Sequence, residues 1–154
     1  MEITGVRVEL PTNQPIVLLR ERGGERYLPI WIGAAEAAAI ALSLQGVVTP
    51  RPMTHDLMQN ILEDLQVSVQ RIVVTELSDS TFFASIQLQR KGDSYEISSR
   101  PSDAIALAVR MEVPVFAEEG VLAEASILIP GEEEEEVEKF REFLDNVSPE
   151  DFGG

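Results

Sequence analysis

Two stretches of this 154-residue chain repeat one arrangement of chemically capable side chains. Arg51-Pro52-Met53-Thr54-His55-Asp56 and Arg100-Pro101-Ser102-Asp103 both run from Arg-Pro through a hydroxyl residue to an acid. In a first helical turn these residues have a structural use. Thr54 and Ser102 would cap, Asp56 and Asp103 would complement the helix dipole, and the prolines would open the helices. They also have a chemical use. Asp56, Asp103 and Glu36 are hard oxygen ligands for a divalent cation such as Mg or Mn, which would polarise a phosphodiester and activate water. Arg51 or Arg100 would hold a phosphate, and His55 would act as general acid or base. The residues alone leave both uses open.

Several other chemistries are excluded. With no cysteine there is no disulfide, thiolate metal site or cysteine nucleophile. A single histidine rules out a multi-histidine metal site. Gly23-Gly24 falls between two expected strands, not at the strand-to-helix turn that a phosphate-binding glycine loop requires. The formal net charge is -15, and residues 131–154 hold ten acids against two bases. Non-specific nucleic-acid binding draws on clustered Lys and Arg, and this chain has only two lysines. A nucleic-acid partner would therefore depend on a local arginine patch or a bound cation. The plainest role of the charge is solubility.

The elements that must position these residues can be read in order. Ile3 to Leu10 alternates, with Val6, Val8 and Leu10 opposite Arg7 and Glu9, as a half-buried strand does. A turn at Pro11 to Pro15 leads to a more buried strand from Ile16. Gly23-Gly24 suits a hairpin into a third strand, Tyr27 to Ile32, which Pro29 assigns to an edge or a bulge. Trp31, beside it, reads as core or interface and not as a base-stacking platform. Gly33 opens an alanine-rich helix over 34–45, stopped by Gly46. A second helix, 55–66, has an apolar stripe of Leu57, Met58, Ile61, Leu62 and Leu65. Strands at 67–77, 81–90 and 94–98 follow. The run from Ala104 to Val109 is apolar on nearly every side, as a helix in the middle of a domain would be. A short strand at 113–116, a short helix at 118–125 and Ile127 to Ile129 end the body.

This order predicts an α+β fold of mixed or antiparallel sheets packed with helices. Three strands and a helix occur at 3–46 and again at 67–112, which suggests two repeated β3-α units sharing one core. Residues 1–130 form one domain, large enough to bury roughly two-thirds of its unfolded surface. Residues 131–154 form an acidic extension, expected as a short amphipathic helix with a flexible end. No basic-then-apolar leader is present, and no apolar run approaches the roughly 18 residues that span a bilayer. A cytoplasmic protein with no membrane partner is expected.

Three ordered motifs carry a resemblance. Leu28-Pro29-Ile30-Trp31-Ile32-Gly33 with Glu36-Ala37, Arg51-Pro52-Met53-Thr54-His55-Asp56-Leu57, and Ser99-Arg100-Pro101-Ser102-Asp103-Ala104-Ile105-Ala106-Leu107-Ala108 resemble the bifunctional nuclease domain family over roughly residues 1–130. The acidic extension is similar to that of bacterial members with only this one domain. The resemblance implies an α+β domain that forms homodimers or larger homo-oligomers. It also implies nuclease activity on DNA and RNA, attributed to plant members. It carries over no catalytic residues, so the site candidates are those the spacing offers. Two functions follow: a divalent-metal-dependent nuclease, or a non-catalytic oligomeric binding or regulatory module.

Overall fold

The first three strands pair antiparallel in sequence order, and the second is buried at every position from Pro15 to Leu19. The computed structural model describes residues 1–9 and 13–128. Strands β1 (Glu2–Glu9), β2 (Gln14–Arg20) and β3 (Arg26–Trp31) pair antiparallel in sequence order. Gly5, at φ 136, takes up a register shift in β1, a backbone setting that side-chain-bearing residues rarely adopt. Helix α1 (Ala34–Leu44) follows, then α2 (Thr54–Asp64). A second antiparallel meander comprises β4 (Ser68–Ser78), β5 (Thr81–Arg90) and β6 (Asp93–Ser99). Asp79 and Ser80 both take positive φ, which gives the β4–β5 turn the twist of the strands it joins. Helix α3 (Pro101–Met111), β7 (Val115–Ala117), α4 (Glu119–Ala125) and β8 (Ile127–Leu128) complete the described chain.

The strands form two four-stranded sheets, ordered β1-β2-β3-β8 and β6-β5-β4-β7, with β7 parallel to β4. The α+β class is as expected. Pro29 lies past the two-residue pairing of β3 with β8, where a strand can lack a donor without losing a ladder bond. Each meander is followed by a helix, α1 or α3, and these two helices pack together. The fourth strands attach differently, β8 to the last strand of its meander and β7 to the first of its own. The recurrence is one of element order, and a duplicated origin does not follow from it.

One core joins the layers. Leu19, Leu28 and Ile30 from the first sheet meet Ile72 and Val74 from the second around Ile40 of α1 and Ile105 and Leu107 of α3. All eight are fully buried or nearly so. Helix α3 is the element most enclosed, with Ala104 to Ala108 buried without a break, so its first turn is held by packing on several sides. Arg26 of β3 forms an ion pair with Glu119 of α4 and another with Glu21, just after β2.

Two local expectations are corrected. Thr54 and Ser102 do not cap: the N-caps are Met53 and Arg100, and neither helix start has a side-chain cap hydrogen bond to the first-turn amides. Pro101 already stands at the first helical position, which pushes Ser102 one place inside the helix. The stripe on α2 is also divided. His55 is buried and Met58 and Leu62 pack on the core, whereas Leu57, Ile61 and Leu65 are about half exposed. Helix α2 docks on α3 along one flank, so only the row at spacing three and four from His55 is covered. The amphipathic helix expected in 131–154 lies outside the described residues.

Candidate active site

Three helix starts converge on one cluster. Glu36 stands in the first turn of α1, His55 in that of α2 and Asp103 in that of α3. Arg100, extended just before α3, turns its side chain toward the carboxylates. Its Nε donates to Asp103 Oδ2 at 2.9 Å, and its Nη2 donates to Glu36 Oε1 at 2.7 Å. Asp103 Oδ1 accepts from His55 Nε2 at 3.0 Å. A carboxylate accepts, so Nε2 carries the hydrogen in this contact, and in the neutral imidazole the lone pair lies on Nδ1. The two carboxylates raise the affinity of the Arg100 guanidinium for its proton, Asp103 more than Glu36.

Gly33 lets the cluster close. A side chain there would place its Cβ 2.4 Å from Glu36 Oε2, so the carboxylate lies over a position that only glycine leaves open. Glu36 also favours the α1 start through the helix dipole, which makes its place in the cluster and its place in the helix mutually supporting.

Asp56 belongs to a different pairing. Its Oδ1 accepts from Arg110 Nε at 2.6 Å and its Oδ2 from the Met53 backbone at 3.1 Å. Arg110 also donates to the carbonyls of Ala106 and Ala39, at 3.1 and 3.2 Å, joining α1, α2 and α3. The Arg110 hydrogen bond is the chief cause that holds the Asp56 carboxyl below its ordinary range. Arg51 is exposed, and its carbonyl accepts from Thr49 Oγ1 at 2.6 Å. Four of the six candidates therefore meet and two do not. Arg110 is the residue that spacing did not single out. Its one signal was a long basic side chain in the last turn of an otherwise apolar helix.

The expected ligand set fits a divalent cation poorly in this arrangement. Both oxygens of Asp103 and of Asp56 accept hydrogen bonds, and one oxygen of Glu36 does. Among the described residues no group of three or more His, Cys, Asp or Glu is placed to hold a metal ion. Beside the cluster a pocket of about 260 Å³ opens between the end of β3, the β4–β5 turn and the start of α3. Trp31, Gly33, Ser80, Thr81, Arg100 and Ser102 are among its walls. Trp31, expected in core or interface, is 50% exposed there.

Comparison with known proteins gives the same outline. A family model described as the bifunctional nuclease domain matches residues 17–130. An uncharacterised protein of Mycobacterium tuberculosis is 50% identical over 161 aligned positions, covering 99% of this chain and 96% of its own length. Bifunctional nuclease 2 of Arabidopsis thaliana is 30% identical over 112 residues, 69% of this chain and 34% of that protein. Bifunctional nuclease 1 of Oryza sativa subsp. indica is 28% identical over 106 residues, 67% of this chain and 32% of that protein. The chain thus spans about a third of those plant proteins. No helix among the described residues is long and apolar enough to cross a membrane.

Proposed function

The chain belongs to the bifunctional nuclease domain family, and on that premise we propose that it hydrolyses phosphodiester bonds of DNA or RNA at the Glu36–His55–Arg100–Asp103 cluster. One observation supports the reading most: a His–Asp pair that joins two helix starts meets an arginine that lines a pocket. Asp103 orients the imidazole with Nδ1 as base. No sealed side-chain nitrogen or oxygen among the described residues lacks a partner, so Nδ1, which has none among them, reaches the surface. It takes a proton from the attacking water. The water oxygen bonds to phosphorus, and the leaving oxygen departs with the proton returned by the imidazolium. Arg100 holds the phosphoryl oxygens, and Glu36 holds Arg100.

The test is cleavage of end-labelled single-stranded DNA and RNA by the purified chain, by Asp103→Asn and by His55→Gln. Cleavage is expected to fall about 10²-fold or more in either variant, the usual contribution of a positioned acid–base group. Cleavage equal in both variants and in the parent chain would overturn the assignment, since a contaminant would then carry it. A parallel arm with chelator tests the divalent dependence that the sequence suggested for Asp56, Asp103 and Glu36 and that their hydrogen-bonded arrangement does not favour.

A non-catalytic oligomeric module is the second reading, and the exposed row Leu57, Ile61 and Leu65, with Val48 and Met53 nearby in sequence, favours it. Exposed apolar side chains in series mark association surfaces. No cleavage together with a defined homo-oligomer would support this reading over hydrolysis.

A further inference from the structure

The pocket beside Arg100 contains donors that the hydrolytic step does not use. Ser102 is only 6% exposed, yet its hydroxyl has no hydrogen-bond partner among the described residues. Because no sealed oxygen among those residues is left unpaired, Oγ faces the pocket that Ser102 lines. The backbone N–H groups of Ser102 and Asp103 are also without partners among the described residues. They stand in the first turn of an eleven-residue helix, where the first backbone bond is Ala104 N–H to the Arg100 carbonyl. Arg100 engages Nε and Nη2 with carboxylates and leaves Nη1 unengaged among the described residues. A nearly buried hydroxyl, the orphan amide of Ser102 with that of Asp103 next to it in the chain, and a guanidinium edge, at the pocket that Arg100 and Ser102 line, call for an acceptor.

We propose that this pocket binds a phosphodiester group, its anionic oxygens accepting from Ser102 Oγ, the Ser102 and Asp103 amides and Arg100 Nη1. The proposal deepens the hydrolytic reading and rests on it for its meaning, though its readout is binding alone. The surroundings select the charge of the ligand. Glu36 and Asp103 together outweigh Arg100 by one negative charge, and the helix start offsets about half of that. A monoester with two charges is repelled more than a diester with one, whereas a neutral ester loses the charge-assisted hydrogen bonds that an anionic oxygen accepts from Arg100 and the amides. Trp31 and Phe82 line the same pocket and give the nucleoside on the ester an apolar wall.

Trp31 is the chain's single tryptophan, so occupancy can be read without turnover. The probe is a thymidine dinucleotide with a phosphorothioate linkage, titrated against Trp31 fluorescence and amide nitrogen–proton spectra. Saturable binding is expected, with the Ser102 and Asp103 amides shifting most. Thymidine monophosphate, inorganic phosphate and the neutral methylphosphonate dinucleotide should each bind at least about tenfold more weakly. Ser102→Ala should weaken dinucleotide binding about tenfold, the worth of one hydrogen bond to a charged group. Arg100→Gln, at an exposed side chain, is the second variant and should weaken it similarly. No saturable binding, equal affinity for the neutral analogue or for inorganic phosphate, or affinity unchanged in both variants would overturn the proposal. Binding as expected without strand cleavage would leave the pocket standing and remove hydrolysis. Cleavage without Ser102-dependent binding would do the reverse.

Discussion

His55 Nε2 lies 3.0 Å from Asp103 Oδ1, although 48 positions separate the two residues in the chain. Each sits in the first turn of its own helix, and the contact joins α2 to the central α3. His55 is the most deeply buried residue of α2, so this pair is part of how α2 is seated as well as a candidate catalytic pair. Removing Asp103 should therefore affect stability and chemistry separately. Asp103→Asn keeps an acceptor for Nε2 and should lower stability by about 1 kcal/mol, whereas Asp103→Ala strands the buried imidazole and should lower it by about 1–3 kcal/mol. Urea unfolding of both variants checks the ordering, and equal losses would contradict it.

Acid should weaken the Asp56–Arg110 tie in a defined direction. The folded-state pKa of Asp56 lies below its ordinary value, chiefly through Arg110, with burial opposing. A depressed carboxylate contributes stability that is fully present above its unfolded value, about 4, and lost as pH falls through the folded one. Asp56→Asn should be less stable than the parent chain at pH 7, and the gap should close below about pH 4. Arg110 is nearly buried while Asp56 is about a third exposed, so the gap at pH 7 should be near the lower end of about 1–3 kcal/mol. A gap constant from pH 7 to pH 3, read by urea midpoints, would contradict this pairing.

Ile105 sets the depth at which α3 lies. It is fully buried and sits among side chains from both sheets. Ile105→Ala should lower stability by about 2–5 kcal/mol, the range for truncating a well-packed core aliphatic. Thermal unfolding measures it, and a loss below about 1 kcal/mol would show that the two sheets do not share this core.

Gly33→Ala should uncouple Glu36 from Arg100 without unfolding the chain. Gly33 has an extended backbone at φ -75, so alanine meets no conformational strain. The added Cβ collides with the mobile end of the Glu36 side chain, which must swing away. Arg100 would then keep Asp103 as its carboxylate partner. The expected result is a stability change within about 1 kcal/mol together with altered dinucleotide binding in the fluorescence titration. Binding unchanged in this variant would show that Glu36 does not position Arg100.

Ile61→Glu tests the outer row of α2. Ile61 is 49% exposed, so the substitution should change the stability of one copy by no more than about 0.5 kcal/mol. If the row joins copies of the chain, light scattering should show a smaller particle for the variant than for the parent. Identical sizes would remove Leu57, Ile61 and Leu65 from any interface.

Much of the fold was legible because periodicity and turn chemistry are local. The strand from Thr81 to Arg90 and the short helix ending at Ala125 fall where alternation and composition put them. The caps were misread for an equally local reason. Pro101 satisfies the helix start itself, so Ser102 is displaced inward and its hydroxyl is free to face a pocket. The α2 stripe was misread because five apolar residues reveal a face but not how much of it a neighbour covers.

Residue types and their order determined the α+β class, the buried character of α3 and the identity of the residues able to do acid–base or phosphate chemistry. Only the tertiary structure decided which of them meet. Arg51–Asp56 and Arg100–Asp103 look equivalent in the chain, but Asp56 is bound by Arg110 from the far end of α3 while Asp103 meets His55, beside Arg100 and Glu36. The physical reason is that hydrogen bonds act over about 3 Å, and distances between helix starts are set by how the helices pack, which no spacing along the chain encodes.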